Sequence, residues 1–295
     1  MNRTSYFIEK KALFGSYPSQ STVNELEKKN VKYFVDLTEK DETLIVPYST
    51  KYKYINFPIK DRKVPDNWRF FSKFIIQISN LILTSKDDEI FYIHCKGGHG
   101  RSGVIVACIL CYIFKIPPEK SLNMTTQCHN KRIEMKDKWR KIGSPQTDQQ
   151  KKFVMNFFQP LNINRNFKKG YTQGFSLQAN TPIYVENFGK LFPNAQNAIL
   201  AFKMSYDSEI VESLSSNFQI KNIKLINEEK NESWDKEKLD VIKKILMLKY
   251  TQHPEIFKRL LNTGLRPIIF DSDILIEYKE NFVGNIIEQI RNNNL

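Results

Sequence analysis

One short stretch of the chain, residues 94–103, contains the residue types best suited to chemistry. Cys95 is followed six positions later by Arg101, and between them stand Gly97, Gly98 and Gly100. A glycine-rich loop between a strand and a helix can turn its backbone N–H groups inward and bind a phosphate dianion, and the positive end of the following helix favours the same anion. A cysteine at the start of such a loop is favoured as the thiolate, which is the nucleophilic form. The stretch therefore predicts a phosphate-binding loop that contains a nucleophile.

The other side chains of this stretch have complementary chemistry. Arg101 can hold two phosphoryl oxygens with its guanidinium fork. Ser102 can donate a hydrogen bond to the sulfur and stabilise it as a leaving group, and His94 can fix the loop through its ring nitrogens. We expect Lys96 and His99 to add positive charge inside the loop.

This pattern resembles the C-x5-R-[S/T] signature of the cysteine-dependent protein tyrosine phosphatase superfamily. Residues 13–18 and 35–38 resemble scaffold segments of its dual-specificity branch, so the resemblance covers about residues 5–160. It implies a two-step hydrolysis. Cys95 attacks phosphorus, Arg101 and the loop amides bind the equatorial oxygens, and water then hydrolyses the cysteinyl-phosphate. No metal or other cofactor is implied.

The family also uses an aspartic acid on an upstream loop as the general acid, and two residues are candidates for that role. Asp61 follows a predicted strand in the P-I-x-D pattern of the dual-specificity branch, whereas Asp66 follows Pro65 as in the tyrosine-specific branch. We favour Asp61. Downstream, Gln146 and Gln150 match a Q-T-x-x-Q segment whose glutamines orient the hydrolytic water, although a helix N-terminus at this point would explain the same residues.

The resemblance favours phosphotyrosine, phosphoserine and phosphothreonine monoesters on proteins as substrates. A polyanionic substrate, such as a phosphoinositide or an RNA 5′-triphosphate, is an alternative because Lys96 and His99 lie in the loop and five further basic residues follow. These are Arg132, Lys136, Lys138, Arg140 and Lys141. A solvated charged face would also explain those five. A module that binds phosphoproteins without catalysis is a third hypothesis.

Alternating strand-like and helix-like segments must position these residues. Segments 32–37, 54–57 and 89–94 are predicted strands, and 21–30, 68–83, 104–114, 118–127 and 147–158 are predicted helices. The pattern indicates an α/β fold with a cysteine-phosphatase-type central sheet flanked by helices. We place this domain at residues 1–165, a linker at 166–180, and a smaller, mainly α-helical domain at 181–295.

The C-terminal half resembles, more weakly, the NADAR (YbiA-like) family of small helical domains, whose active members cleave N-glycosidic bonds. The similarity involves the region of Trp234, residues 246–255 and 260–264, and a closing helix at 284–291. Gln196 stands where that family has an essential glutamate, so the resemblance implies a degenerate domain.

Charge and composition limit the remaining possibilities. The 295 residues are 41% hydrophobic and 26% charged, which permits a buried core and excludes wholesale disorder. The net charge of +13 belongs to the N-terminal half, and it raises nucleic-acid binding as a further hypothesis. The longest apolar run is too short to cross a bilayer, and the first residues lack the apolar stretch of a signal peptide, so we expect neither a membrane span nor a leader. Its four cysteines suggest neither disulfides nor a zinc site, so we expect a reducing, cytoplasmic environment.

Overall fold

The computed structural model describes residues 2–163, 174–204, 207–216, 233–270 and 281–295. The chain divides into two units, residues 1–159 and residues 160–295, and each is described separately.

The first unit is built on a five-stranded sheet with the order β1-β2-β5-β3-β4. Its strands are β1 (Thr4–Ile8), β2 (Ala12–Ser16), β3 (Val31–Asp36), β4 (Lys53–Asn56) and β5 (Ile90–Cys95). β1 is antiparallel to β2, and the other four strands are parallel to one another. The three predicted strands are confirmed to within about one residue. The β1–β2 hairpin was not predicted.

Six helices belong to this unit. They are α1 (Gln20–Lys28), α2 (Trp68–Thr84), α3 (Arg101–Phe114), α4 (Pro118–Asn130), α5 (Asp137–Ile142) and α6 (Asp148–Phe157). All five predicted helices are present, and the short α5 is additional. The predicted α/β fold, with a central sheet flanked by helices, is therefore confirmed.

The central helix α3 follows β5 directly. It packs against α2, α4 and α6, and its first eleven residues are all buried. This position explains the unbroken apolar run of residues 103–114, because a helix enclosed on every side needs no polar face. The carboxyl ends of β2, β3, β4 and β5 meet at one edge of the sheet, and the loop into α3 begins there.

The second unit is mainly helical. In the described part of this unit the helices are α7 (Ala195–Lys203), α8 (Ser208–Ser216), α9 (Trp234–Gln252), α10 (Pro254–Leu261) and α11 (Phe282–Asn293). Short strands β6 (Leu161–Asn162) and β9 (Ile268–Ile269) pair in parallel, and β7 (Ile183–Val185) and β8 (Lys190–Phe192) form a hairpin. Trp234 lies in the apolar core of this unit.

The boundary between the two units does not lie in the predicted linker, residues 166–180. The division between units falls after Gln159. Phe175, Leu177 and Ala179 are buried in or beside the core of the second unit, so residues 174–180 are packed chain and not a linker. Because most residues of this segment are polar, its few buried apolar residues were not recognised from the sequence. Residues 166–173 lie outside the described part of the chain.

Among the described residues, no helix combines the length and apolar character that crossing a bilayer requires.

Candidate active site

The site is centred on the loop between β5 and α3. Cys95 is the last residue of β5, and Arg101 is the first residue of α3. Gly98 has φ +72°, a conformation that favours glycine, and a Cβ atom at this position would lie 2.4 Å from the backbone carbon of Gly15. Tyr17 N donates to the carbonyl of Lys96 at 3.1 Å. The loop is thus closed tightly against the end of β2, which explains why the sequence requires glycine at Gly98.

Cys95 differs from the other three cysteines in its surroundings. Its Sγ lies 3.5 Å from Oγ of Ser102, which is itself fully buried at the start of α3. Burial raises the pKa of the thiols of Cys108 and Cys128, and that of Cys111 to about 11. Burial outweighs the neighbours that would lower these pKa values, a hydrogen bond with Ser121 at Cys111 and the charge of Lys131 at Cys128. Cys95 differs from all three in being the first residue of the glycine-rich loop.

Arg101 is held by two carboxylates. Its Nη1 and Nη2 donate to the two oxygens of Glu42 at 2.6 and 2.7 Å, and Nη2 also donates to Oδ1 of Asp61 at 3.0 Å. Nη1 makes a further bond to the carbonyl of Ile59 at 2.9 Å. Burial alone would lower the pKa of this guanidinium, but the hydrogen bonds to Glu42 and the nearby acidic groups raise it. Arg101 is therefore a fixed cation beside the loop.

The two candidate acids lie in different places. Asp61 reaches Arg101, and its side chain is 54% exposed, so it lies at the open side of the site. Asp66 is exposed just before α2 and makes no described contact with residues 95–102. The structure thus brings only Asp61 to the phosphate-binding loop.

The two candidate glutamines also lie in different surroundings. Gln150 is fully buried in α6, and its amide lies 2.9 Å from the place where a Cβ on Gly100 would be. Its Nε2 donates to the carbonyl of Lys63, and its Oε1 accepts from the N–H of Thr147 in a capping box. Gln146 is half-buried before this helix and makes no described hydrogen bond with the loop. The helix N-terminus predicted at this point is confirmed.

His94 is buried beneath the loop and is neutral at pH 7. Burial lowers its pKa to about 4, although the neighbouring Asp36 opposes the shift. Nε2 of His94 lies 2.8 Å from the hydroxyl of Tyr48, and Asp36 accepts from Thr38 and from the hydroxyl of Tyr54. His94 thus joins the loop to the segments that follow β3.

The expectation of a positive charge at His99 was wrong. Burial, together with His129 and Arg132, lowers the pKa of His99 to about 3, so the ring is neutral. Its Nδ1 lies 2.7 Å from Nε2 of His129, and its face stacks on Trp139 with ring centroids 4.7 Å apart. His99 is a packed element of the loop, and Lys96 alone contributes the additional charge there.

Five basic residues were predicted either to favour a polyanionic substrate or to form a solvated charged face, and two of them are structural. Arg132 is 3% exposed and donates to the carbonyls of Gly98 and Phe14 and to Oγ of Ser5. Arg140 donates to the carbonyls of Asn130 and Arg132. Their guanidinium groups satisfy backbone oxygens that the fold would otherwise leave unpaired. Lys136, Lys138 and Lys141 are exposed.

Three residues of the site were not identified from sequence. Glu42 and Tyr48 lie in the long segment between β3 and β4, where no periodicity distinguishes them. Arg132 was predicted as a member of a basic cluster and not as a buried residue that holds the loop, a position that is unusual for its residue type. Their roles depend on contacts across 59, 46 and 34 positions of the chain, and no local pattern reports such contacts.

Among the described residues, no group of three His, Cys, Asp or Glu side chains could hold a metal ion.

Comparisons with known proteins agree with this geometry. Residues 2–154 match the family model described as "Swiss Army Knife protein, DSP-PTPase phosphatase domain". "Putative tyrosine phosphatase 197R" of Invertebrate iridescent virus 6 is 45% identical over 160 residues, which are 54% of this chain and 54% of that protein. "Putative tyrosine phosphatase 067L" of Invertebrate iridescent virus 3 is 37% identical over 177 residues, which are 59% of this chain and 73% of that protein. The chain thus spans about half the length of the first relative.

A crystal structure of Tk-PTP in the active form is similar over 52% of this chain and 93% of that chain, with a TM-score of 0.41 and 20% identity. For PTPMT1 in complex with PI(5)P, the similarity covers 52% of this chain and 94% of that chain, with a TM-score of 0.39 and 17% identity.

Proposed function

The chain belongs to the family of Swiss Army Knife protein DSP-PTPase phosphatase domains, and on that premise we propose that it hydrolyses phosphate monoesters through a covalent phosphate on Cys95. The observation that carries this proposal is the loop itself. A cysteine at the end of a strand is followed by a glycine-rich turn, and the next helix begins with a buried arginine.

In the first step, the Cys95 thiolate attacks phosphorus, and the bond from phosphorus to the substrate oxygen breaks. The backbone N–H groups of residues 96–101, including Lys96, Gly97, Gly98, His99 and Gly100, surround the equatorial oxygens together with Arg101. Sγ of Cys95 lies 3.5 Å from Oγ of Ser102, and once the thiol has lost its proton the Ser102 hydroxyl can donate to the sulfur. This donation stabilises the thiolate both before the attack and when the sulfur leaves in the second step.

Asp61 is our candidate for the general acid. It donates its proton to the departing oxygen in the first step. In the second step it takes a proton from the water that attacks the phosphocysteine, and inorganic phosphate leaves as the thiolate is restored. Its contact with Arg101 supports this role because it places the carboxyl beside the group that binds the phosphate.

Gln150 is better suited to positioning the acid loop than to orienting water. Both ends of its amide are occupied, by the Lys63 carbonyl and the Thr147 N–H, and it lies against Gly100. We therefore assign it to holding the segment that carries Asp61 next to the phosphate-binding loop. The catalytic role of Gln146 stays a prediction.

We propose phosphorylated protein side chains, with phosphotyrosine foremost, as the substrates. The names of the two viral relatives support this choice. The electrostatics support it as well, because the neutral His99 and the structural Arg132 and Arg140 remove much of the argument for a phosphoinositide or an RNA 5′ end.

A reducing, cytoplasmic environment, which free thiols such as that of Cys95 suit, also remains a proposal.

The test is phosphate release from a matched panel of a phosphotyrosine peptide, a phosphothreonine peptide, an inositol lipid and an RNA 5′-triphosphate, with Cys95→Ser as the blank. We expect turnover of the peptides that depends on Cys95. Turnover confined to the lipid or the RNA would refute the protein substrate. Binding of phosphopeptides with no turnover of any substrate would favour the non-catalytic module.

A pair of matched variants tests the choice of acid. Asp61→Asn should lower kcat for a phosphotyrosine peptide by about 100-fold or more, because general acids contribute roughly 10²–10⁴ in rate. The loss should be much smaller for p-nitrophenyl phosphate, whose leaving group needs no proton. Asp66→Asn is the control and should change neither rate. The reverse result would transfer the role to Asp66.

For the second unit, which begins after Gln159, we propose a separate helical module that includes residues 181–295. Its resemblance to the NADAR family stays a prediction, and Gln196 is buried with Oε1 unpaired in α7.

A further inference from the structure

The segment between β3 and β4 carries two highly exposed apolar side chains. Leu44 and Val46 are 93% and 81% exposed, the highest fractions for any large apolar side chain in the described part of the chain. Ile45 between them is half-buried, and Pro47 is exposed. Single exposed apolar residues are common on protein surfaces, whereas contiguous ones mark surfaces that bind another molecule. Residues 44–47 are called the apolar tip below.

Both ends of the apolar tip are anchored at the phosphate-binding site. Two residues before it, Glu42 accepts from both terminal nitrogens of Arg101 at 2.6 and 2.7 Å. Directly after it, the hydroxyl of Tyr48 lies 2.8 Å from Nε2 of His94. Because a chain spans at most about 3.6 Å per residue, the backbone of Leu44 lies within roughly 7 Å of that of Glu42. The apolar tip is therefore next to the site and not on a remote face.

The apolar tip borders the open side of the site. Asp61 binds the same guanidinium as Glu42, and its side chain is 54% exposed, so the opening to solvent lies between the loop of Asp61 and the segment that follows Glu42. A phosphorylated side chain that enters this opening leaves the substrate backbone outside, across the rim. The residues beside the phosphorylated one then lie over the segments that border the opening.

The backbone of the apolar tip suits a residue other than leucine. Leu44 has φ +61°, a left-handed conformation that glycine and asparagine adopt far more readily. Its side chain therefore strains the turn, and at 93% exposure it gains almost no burial in the free protein. Strain of this kind is found where a residue serves binding or catalysis.

The charges near the apolar tip favour a peptide over a lipid surface as its partner. The exposed carboxylates of Glu39 and Asp41 lie just before it, and Lys40 is the single cation between them. Carboxylates repel the anionic head groups that attract proteins to membranes. An apolar side chain of a peptide meets no such repulsion.

We propose that the apolar tip binds an apolar side chain next to the phosphorylated residue of a protein substrate, so that the preferred substrates carry a large aliphatic residue close to the phosphotyrosine. The inference rests on the proposed function, because the phosphate must occupy the loop at Cys95. Leu44 and Val46 supply the contact surface, and Glu42 and Tyr48 hold the segment at the rim.

The test compares kcat/KM for phosphotyrosine peptides that carry either alanine or leucine at each of the three positions before and after the tyrosine. We expect leucine at one of these positions to raise kcat/KM about tenfold, mainly through a lower KM. A tenfold preference equals about 1.4 kcal/mol. Burial of roughly 55 Å² of apolar surface supplies that much at about 25 cal/mol per Å², and full burial of a leucine side chain supplies more. The preference should persist as salt is raised, because an apolar contact is not screened.

Three variants locate the effect. Leu44→Asn removes the apolar side chain and suits the left-handed backbone, and Val46→Thr keeps the branched shape. Each should reduce the preference for leucine by about threefold or more. Leu83→Asn is the matched control and should leave the preference unchanged. Leu83 is also exposed, but it lies in the last turn of α2, which ends before β5 begins, at the opposite edge of the sheet from the phosphate-binding loop.

A wild-type ratio near one at every position, or a ratio that Leu44→Asn and Val46→Thr leave intact, would overturn the proposed peptide contact. Binding to vesicles of phosphatidylcholine and phosphatidylserine that Leu44→Asn abolishes, with no peptide preference, would also overturn it and would assign the apolar tip to a lipid surface. An absence of Cys95-dependent hydrolysis of p-nitrophenyl phosphate would instead overturn the proposed function, so the two failures are distinguishable.

Discussion

The buried histidines around the phosphate-binding loop should make the first unit sensitive to mild acid. Burial lowers the pKa values of His94 and His129 to about 4, and an unfolded histidine titrates at about 6.5. The unfolded chain therefore binds more protons than the folded one below pH 6.5. The stability that depends on the neutral rings is complete above about pH 6.5 and is lost as the pH falls toward 4.

The size of the effect follows from the two pKa values. Lowering the pH from 7 to 5 should reduce the free energy of unfolding by about 2 kcal/mol for each histidine, or about 4 kcal/mol for His94 and His129 together. His99, which is only half-buried, should add a smaller loss. Such a loss is a large part of the roughly 5–15 kcal/mol that stabilises a typical domain.

Urea unfolding at pH 7 and pH 5, followed by tryptophan fluorescence, measures this loss. Trp68 and Trp139 report on the first unit, and a Trp234→Phe background removes the tryptophan of the second. His129→Gln keeps a side chain that can hydrogen-bond and removes one titration, so its loss between the two pH values should be about 2 kcal/mol smaller. Equal losses in the two proteins would refute the reasoning.

Three further substitutions have defined outcomes. Gly98→Ala should lower kcat by about 100-fold or more, because a Cβ atom would meet the backbone of Gly15 and misplace the loop. Steady-state kinetics measures this change, and a near-normal kcat would contradict the prediction. Arg132→Met should lower kcat by about tenfold while changing KM little, since the Gly98 carbonyl loses its donor, and Arg132→Lys should restore part of the rate if Arg132 positions the loop. Lys249→Met should raise the free energy of unfolding of the second unit at pH 7 by about 2 kcal/mol, because burial lowers the pKa of Lys249 to about 7 and the described chain offers this ammonium only the Ser176 carbonyl. In the native protein, the free energy of unfolding of this unit should rise between pH 7 and pH 9. An unchanged free energy of unfolding in the variant would refute this account.

The sequence was informative wherever a local pattern determines the structure. β5, the glycine-rich loop and α3 were predicted because an apolar strand, a turn that needs glycine and an apolar helix follow one another without interruption. The β1–β2 hairpin escaped prediction because the charged residues Glu9, Lys10 and Lys11, and no glycine, connect its two strands. Such short segments form strands only when β5 is there to pair with β2.

Charge was the property that the sequence predicted least well. The residue type alone suggested cations at His99, Arg132 and Arg140, but burial made the first neutral, and backbone carbonyls occupy the other two. No sequence pattern predicted the role of Glu42, because nothing in a loop sequence indicates that an acidic residue will bind an arginine 59 positions away. Burial and long-range contact decide these roles, and both follow from the fold.

The two carboxylates on Arg101 differ in a way that bears on the order of events at the site. Glu42 binds both terminal nitrogens and is 7% exposed, whereas Asp61 makes one bond and is 54% exposed. On the mechanism proposed above, a phosphate that approaches from solvent would meet the weaker contact first and displace Asp61, while Glu42 would keep the guanidinium in place. The displaced carboxyl would then lie beside the incoming ester, where the leaving oxygen needs a proton. If Asp61 is the general acid, as we propose, its contact with Arg101 in the free protein also positions it for that step.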